Sequence, residues 1–182
     1  MTKTPPEPAA GKKVSPAQEG GSATPRPMLL IQHQYTKDLS FESPRSPAIF
    51  QEMAREAPAV DLAVRVDAHQ LGESLFEIIL HLEAKALVAG SPAFVLELAY
   101  GAVAEINVQD QSYRLPLLEI EAPRLMFPFA RNIIADVTRD GGFPPLMLHP
   151  IDFAELFQKK QADAQAASGA QSSVKEEALS EA

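Results

Sequence analysis

The chain of 182 residues contains no cysteine, which excludes disulfides and thiolate chemistry and suits a reducing compartment. No apolar run approaches the roughly 20 residues that span a bilayer. The first residues, MTKTPPEPAAGKKVSPAQ, have no hydrophobic core, so they do not read as a secretory signal and a cytoplasmic protein is expected. The four histidines, His33, His69, His81 and His149, stand alone, without the HxH or HxxxH spacing that ligates a metal. No GxSxG, P-loop or GxGxxG occurs. Gly141-Gly142 runs into Phe143-Pro144 rather than into a helix, so it is a turn and not a phosphate loop. These absences imply no catalytic residue, no metal and no cofactor, and they argue against an enzyme.

Positive charge is also scarce where it would matter. The net charge is −8, and residues 28–158 carry 9 bases against 18 acids, a net of −9. An acidic body without a Lys/Arg cluster repels phosphate backbones, which disfavours nucleic acid as a partner. Solubility is the plain reading of such a charge, and attraction of basic partners is the sharper one.

Composition divides the chain into three. Residues 1–27 hold six of the sixteen prolines among Gly, Ala, Ser and Thr. That stretch buries too little apolar surface to offset its ordering entropy, and a disordered tail is predicted. A second low-complexity tail is predicted over 162–182, leaving one folded domain over 28–161.

Within that domain, alternation of apolar and polar residues predicts four strands, over 34–42, 60–67, 75–88 and 93–106. In the first, Tyr35, Lys37, Leu39 and Phe41 are expected on one face, with Thr36, Asp38, Ser40 and Glu42 on the other. Asp38 and Glu42 then lie roughly 13 Å apart at ~3.3 Å per residue. A retaining glycosidase pair needs about 5 Å, so this pair reads as an acidic surface and not a catalytic one. A short helix near 48–56 carries Ile49, Phe50 and Met53. After the strands, a helical segment over 109–121 meets Pro116 and Pro123, which are expected to kink or interrupt it.

The stretch 125–157 is the most informative. Met126, Phe129, Ile133, Ile134 and Val137 follow helical spacing and predict one apolar stripe. Gly141-Gly142 stops that helix, and the prolines of Phe143-Pro144-Pro145-Leu146-Met147-Leu148-His149-Pro150 hold an extended linker. A second helix starts at Asp152 as N-cap, with Glu155 placed for a capping box and Ile151 for a staple to Leu156. The fold class that follows is α+β: a four-stranded antiparallel sheet with two C-terminal helices on one face. One sheet and two helices make a thin core for so many apolar side chains, so a homo-oligomer with helices packed between two sheets is expected. Phe50, Met53, Val60, Leu62, Val64, 143–148, Phe153 and Phe157 either complete the core or form a trough for an extended peptide.

Tyr35-Thr36-Lys37-Asp38-Leu39-Ser40-Phe41-Glu42-Ser43-Pro44, with Pro47 and Phe50, closely resembles the start of the SecB family of protein-export chaperones. Phe127-Pro128-Phe129-Ala130-Arg131, Gly142-Phe143-Pro144-Pro145-Leu146 and Pro150-Ile151-Asp152-Phe153 are similar to its C-terminal half in order and spacing. The likeness covers about 34–157. It implies a homotetramer, a dimer of dimers, that holds unfolded precursor polypeptides without ATP and delivers them to the SecA translocation ATPase, with no insertion into the membrane. By the same resemblance Asp38, Glu42, Val95 and Glu97 are the SecA-facing surface. Leu96, Leu98 and Tyr100 are the seam between dimers. Phe50, Val60, Leu62, Val64, Phe143, Leu146, Leu148 and Phe153 line the client groove. The competing reading is a scaffold or adaptor that binds one folded partner through its acidic face, with its apolar residues purely structural.

Overall fold

A computed structural model describes the backbone over residues 28–180 and side chains as far as residue 166. The disordered tail predicted for 1–27 lies outside the described residues. Four strands form one antiparallel sheet: β1 (Leu29–Glu42), β2 (Ala59–Gln70), β3 (Leu75–Val88) and β4 (Ser91–Ile106). The spatial order is β1-β4-β3-β2, so the last three strands make a meander. The chain passes from β1 to the opposite edge through α1 (Ile49–Met53). β2 runs to Gln70, past the end predicted at Asp67, because Asp67, Ala68, His69 and Gln70 stay paired with Ile79, Ile78, Glu77 and Phe76.

Alternation makes one face of the sheet apolar. On β3 and β4 the side chains from Phe76 to Val88 and from Phe94 to Ile106 at even positions are all buried. Burying each large one is worth about 1.5–3 kcal/mol, which fixes the register, since a slip of one residue would turn them all to water. The other face carries Glu77, His81, Glu83 and Lys85 of β3 and Glu97 of β4, and is open.

β1 departs from simple alternation. Its register against β4 shifts between Ile31 and His33 and again between Thr36 and Asp38. The second irregularity inserts Lys37, so Tyr35 pairs with Gly101 on the open face while Leu39 and Phe41 pair with Leu98 and Leu96 on the covered one. The prediction that Tyr35, Lys37, Leu39 and Phe41 share a face is thereby corrected. Asp38, Ser40 and Glu42 lie beyond the bulge and keep their common face.

After β4 the helical run is unbroken. It opens with a 3-10 turn, Gln111–Tyr113, then α2 (Arg114–Pro116), a π-helical stretch, Leu117–Glu121, and α3 (Ala122–Asp140). The prolines do not interrupt it. The N–H of Ala122 reaches back five residues to the Leu117 carbonyl, a wider turn that accommodates the donor missing at Pro123. The buried stripe of α3 is Met126, Phe127, Ala130, Ile134 and Thr138, rotated from the predicted one; Phe129 is 54% exposed.

Gly142, at φ +86°, supplies the left-handed residue that ends α3, and the Phe143 N–H then bonds the Thr138 carbonyl at 3.0 Å. The linker folds back over the sheet instead of standing away from it. Phe143 packs against Phe94, Phe50 and Phe41, with ring centroids 4.9, 5.3 and 6.1 Å away. The last helix, α4 (Phe153–Ser180), is capped by Asp152, whose Oδ1 accepts from the N–H groups of Ala154 and Glu155 at 2.9 and 3.1 Å. Glu155 pairs with Lys159 at 2.7 Å rather than turning back to close a capping box. The backbone of α4 continues to Ser180, well beyond the boundary at 161 drawn from composition.

Candidate functional site

Two surfaces are left once the core is formed. The first is the open face of the sheet. Across the β1–β4 ladder Asp38 stands opposite Ala99, Ser40 opposite Glu97 and Glu42 opposite Val95. All four residues expected to face a partner, Asp38, Glu42, Val95 and Glu97, therefore share one patch, and its three carboxylates are exposed. The ladder between β3 and β4 adds Glu83, directly opposite Glu97. Like charges across a ladder repel; Lys85, 2.6 Å from Glu83, offsets part of this. Sequence reasoning assigned Glu83 no role, although its odd position on the third strand already put it on the polar face. Asp38, Glu83 and Glu97 meet Arg65 and His81 around a hollow of about 340 Å³.

The far end of this face is differently charged. Tyr35 lies across Gly101, where an added Cβ would come within 2.7 Å of the ring. The Tyr35 hydroxyl donates to Glu77, which also receives Lys37 at 2.6 Å. These bonds hold the Glu77 carboxyl below its usual range, Lys37 contributing most. The Tyr35 phenol is pushed up to about 12, chiefly by its bond to Glu77 and then by burial. His81 is lowered, first by desolvation and then by the nearby Arg65.

The second surface is apolar and follows the free edge strand β2. Val60, Leu62 and Val64 point to the covered face, opposite Ala86, Ala84 and Leu82. The helices do not reach over their full length: Phe50, Val60 and Leu62 are each 38% exposed, and Val64 and Leu146 are half-buried. Further along, Val64, Val66, Leu156 and Phe157 line a hollow of about 400 Å³ between β2 and α4. Lys160 closes its far side, donating to the Val66 carbonyl at 2.9 Å and pairing with Glu119 of the π-helical stretch at 2.7 Å.

Three expected groove residues sit elsewhere. Phe143, Leu148 and Phe153 are buried in the chain's own core, so they floor the region and do not wall it. The reason is the inward fold of the linker, which leaves Met147 as its most exposed apolar side chain. Leu96, Leu98 and Tyr100, the expected seam, are at most 6% exposed on the covered face of β4. Tyr100 also lines a surface hollow with Phe129, Asn132 and Ile133 of α3. Apart from the β2 strip, apolar side chains are open on the outer side of the helical run, where Tyr113, Leu115, Leu125 and Phe129 are each more than half exposed. Spacing puts Phe129 on the inner stripe because α3 is apolar around a wide arc, and spacing alone does not say which side of that arc meets the sheet.

No helix among the described residues is long and apolar enough to cross a membrane. The chain is 47% identical to the protein-export protein SecB of Paramagnetospirillum magneticum over 143 residues, covering 79% of this chain and 92% of that one. It is 48% identical to the same protein of Brucella anthropi over 161 residues, covering 88% and 98%. In fold it is similar to a SecB-like chaperone of Mycobacterium tuberculosis, solved in complex with a peptide from an antitoxin. The TM-score is 0.59 at 13% identity, over 68% of this chain and 91% of that one. The family model described as preprotein translocase subunit SecB matches residues 22–164. With that model matching most of its length and relatives nearly half identical, the chain belongs to the SecB family, a family of protein-export chaperones and not of enzymes.

Proposed function

We propose that the chain is an ATP-independent holdase of the cytoplasm that keeps unfolded precursor polypeptides competent for export and hands them to SecA. The observation that carries this reading is the uncovered apolar strip along β2. Val60, Leu62 and Val64 remain partly open to water along an unpaired strand edge, and Phe50 and Leu146 are partly open as well. The Val66 carbonyl accepts from Lys160 off that edge, so backbone groups of the same parity at Val60, Leu62 and Val64 face outward too. An extended client would gain main-chain hydrogen bonds there and bury apolar side chains at roughly 25 cal/mol per Å², with no sequence code. The chain has no phosphate-cradling loop for a nucleotide.

The acidic patch of Asp38, Glu42 and Glu97, with Val95 and Glu83 beside it, is assigned to SecA. Its exposure and its position on the face opposite the client strip support the assignment, since both partners then bind at once. Assembly is assigned to the outer side of α3 and to the free edge of β1, giving a dimer of dimers with helices between two sheets. Leu96, Leu98 and Tyr100 serve this seam indirectly, as the bed on which α3 rests.

The test is aggregation of a denatured secretory precursor followed by light scattering without nucleotide. Delay at stoichiometric protein is expected, and no delay at excess protein would sink the reading.

A further inference from the structure

β2 is an edge strand whose two halves differ. From Ala59 to Ala63 every residue is exposed, whereas Val66 is 2% exposed. The change comes where Lys160 of α4 crosses to the strand. Its Nζ donates to the Val66 carbonyl at 2.9 Å and to both carboxylate oxygens of Glu119 at 2.7 and 2.9 Å. Glu119 belongs to the π-helical stretch and its side chain is 12% exposed, so the ammonium is held from a second element as well as from the strand. About one turn back along α4, Leu156 and Phe157 face Val64 and Val66 across the hollow between strand and helix. Lys160 itself is half exposed, and a pair so open to water stabilises the fold little. Its effect is one of occupancy: the Val66 carbonyl, which faces off the edge, is already bonded.

We propose that Lys160 is an end stop that fixes how far a client strand pairs along β2. That a client strand lies there rests on the holdase reading; that its pairing ends before Val66 rests on the bond from Lys160. Outward-facing backbone groups recur at every second residue of an edge strand. Val60, Leu62 and Val64 therefore offer about 13 Å of edge from Val60 to Val64, at ~3.3 Å per residue, and the next step meets the ammonium. β2 continues to Gln70, so an edge without a stop would offer roughly twice the pairing. Each further main-chain bond strengthens the hold and slows release. A holdase that hands its client on is served by a short run. Lysine suits the task, because a strand added across it would have to bury the charge.

The test adds an unstructured peptide rich in leucine and serine to the full chain and follows backbone carbonyl resonances, which report the hydrogen bonds each oxygen accepts. In the unaltered chain those of Val60, Leu62 and Val64 should move on addition and that of Val66 should not. Lys160→Met keeps the aliphatic stem and removes the donor. The Val66 resonance should then move too, and the peptide should bind about fivefold tighter, the worth of one main-chain hydrogen bond. Lys160→Arg, which retains a charged donor, should keep the shorter footprint. Where Lys160→Met does not fold, combining it with Glu119→Gln leaves no lone carboxylate and is read the same way. A Val66 response in the unaltered chain overturns the proposal, as does an unchanged footprint in Lys160→Met. Larger oligomers of Lys160→Met with an unchanged footprint overturn it too, and leave Lys160 as a guard against pairing with a second copy of the chain. The holdase reading fails separately, if none of these carbonyls responds and a denatured precursor aggregates undelayed.

Discussion

The hydroxyl of Thr138 accepts the backbone N–H of Leu146 at 2.9 Å while donating to the Ile134 carbonyl at 2.8 Å. Thr138 is fully buried, the polar residue in the otherwise apolar stripe of α3. It ties the proline-held linker to the helix and thereby fixes the position of Leu146. Thr138→Val keeps the shape and removes the acceptor, leaving a partly buried N–H unpaired at a cost of about 1 kcal/mol. Urea unfolding should shift by that amount, and hydrogen exchange at the Leu146 amide should accelerate selectively. An unchanged Leu146 exchange rate would show that the linker is held by its aromatic contacts alone.

Glu97 stands between Asp38 and Glu42 on one side and Glu83 on the other. Reversing its charge alters the centre of the patch without touching the core, since Glu97 is exposed. Glu97→Lys is expected to weaken SecA binding by at least tenfold, a change that a single desolvated charge pair accounts for. Delay of precursor aggregation should be unchanged. The check is a binding titration beside the aggregation assay, and equal SecA affinity for both forms removes Glu97 from the surface.

Leu98 and Phe129 separate folding from assembly. Leu98 is 2% exposed beneath α3, and Phe129 is 54% exposed on the outside of the same helix. Leu98→Arg buries an unpaired charge and should prevent folding, read as loss of the cooperative unfolding transition. Phe129→Asp should leave the protomer folded and shift the oligomer toward smaller species by light scattering. A folded Leu98→Arg dimer would restore a direct role for Leu98 between copies.

The sheet was legible because its central strands are uniform. From Phe76 to Val88 and from Phe94 to Ile106 the covered face is apolar at every second residue, and alternation reads that directly. The acidic patch was legible for the same reason. What stayed hidden depends on an insertion and on which side of a helix meets the sheet. The extra residue at Lys37 moves Tyr35 to the other face, and no local propensity announces it. In α3, apolar around a wide arc, Phe129 goes outward and Ala130 inward although both fit a helical stripe. Phe143 looked like a groove wall because prolines bar helix; that an extended linker returns to the core depends on Thr138 and on three partner rings distant in sequence.

The β3–β4 turn contains a correctable strain. Ala89 has φ +48° and Gly90 φ +75°, the pair of positive values that a two-residue hairpin turn requires. Alanine tolerates that region poorly, whereas asparagine and glycine tolerate it well. Ala89→Asn should raise stability by about 0.5–1 kcal/mol, seen as a higher urea midpoint with an unchanged slope. A lower midpoint would mean that this backbone conformation is not kept in solution.

Tyr35, Glu77 and Lys37 make stability depend on pH at two ends. The Glu77 carboxyl titrates below its ordinary 4.5 in the folded chain. Its contribution is full above that value and is lost as pH falls through the lowered one. The Tyr35 phenol titrates at about 12 against an ordinary 10.0. The folded chain therefore holds that proton longer, and the contribution is full below 10.0 and lost as pH rises toward 12. Tyr35→Phe removes the alkaline loss and weakens the hold on Glu77, so its acid transition should move to higher pH. Glu77→Gln should remove the acid component and let Tyr35 titrate nearer its ordinary value. The measurement is the urea midpoint from acid to alkaline pH for the three forms, with tyrosinate absorbance followed alongside. An acid limb unmoved by either substitution would place the acid sensitivity on other carboxylates, and the Tyr35–Glu77 bond would then contribute nothing in solution.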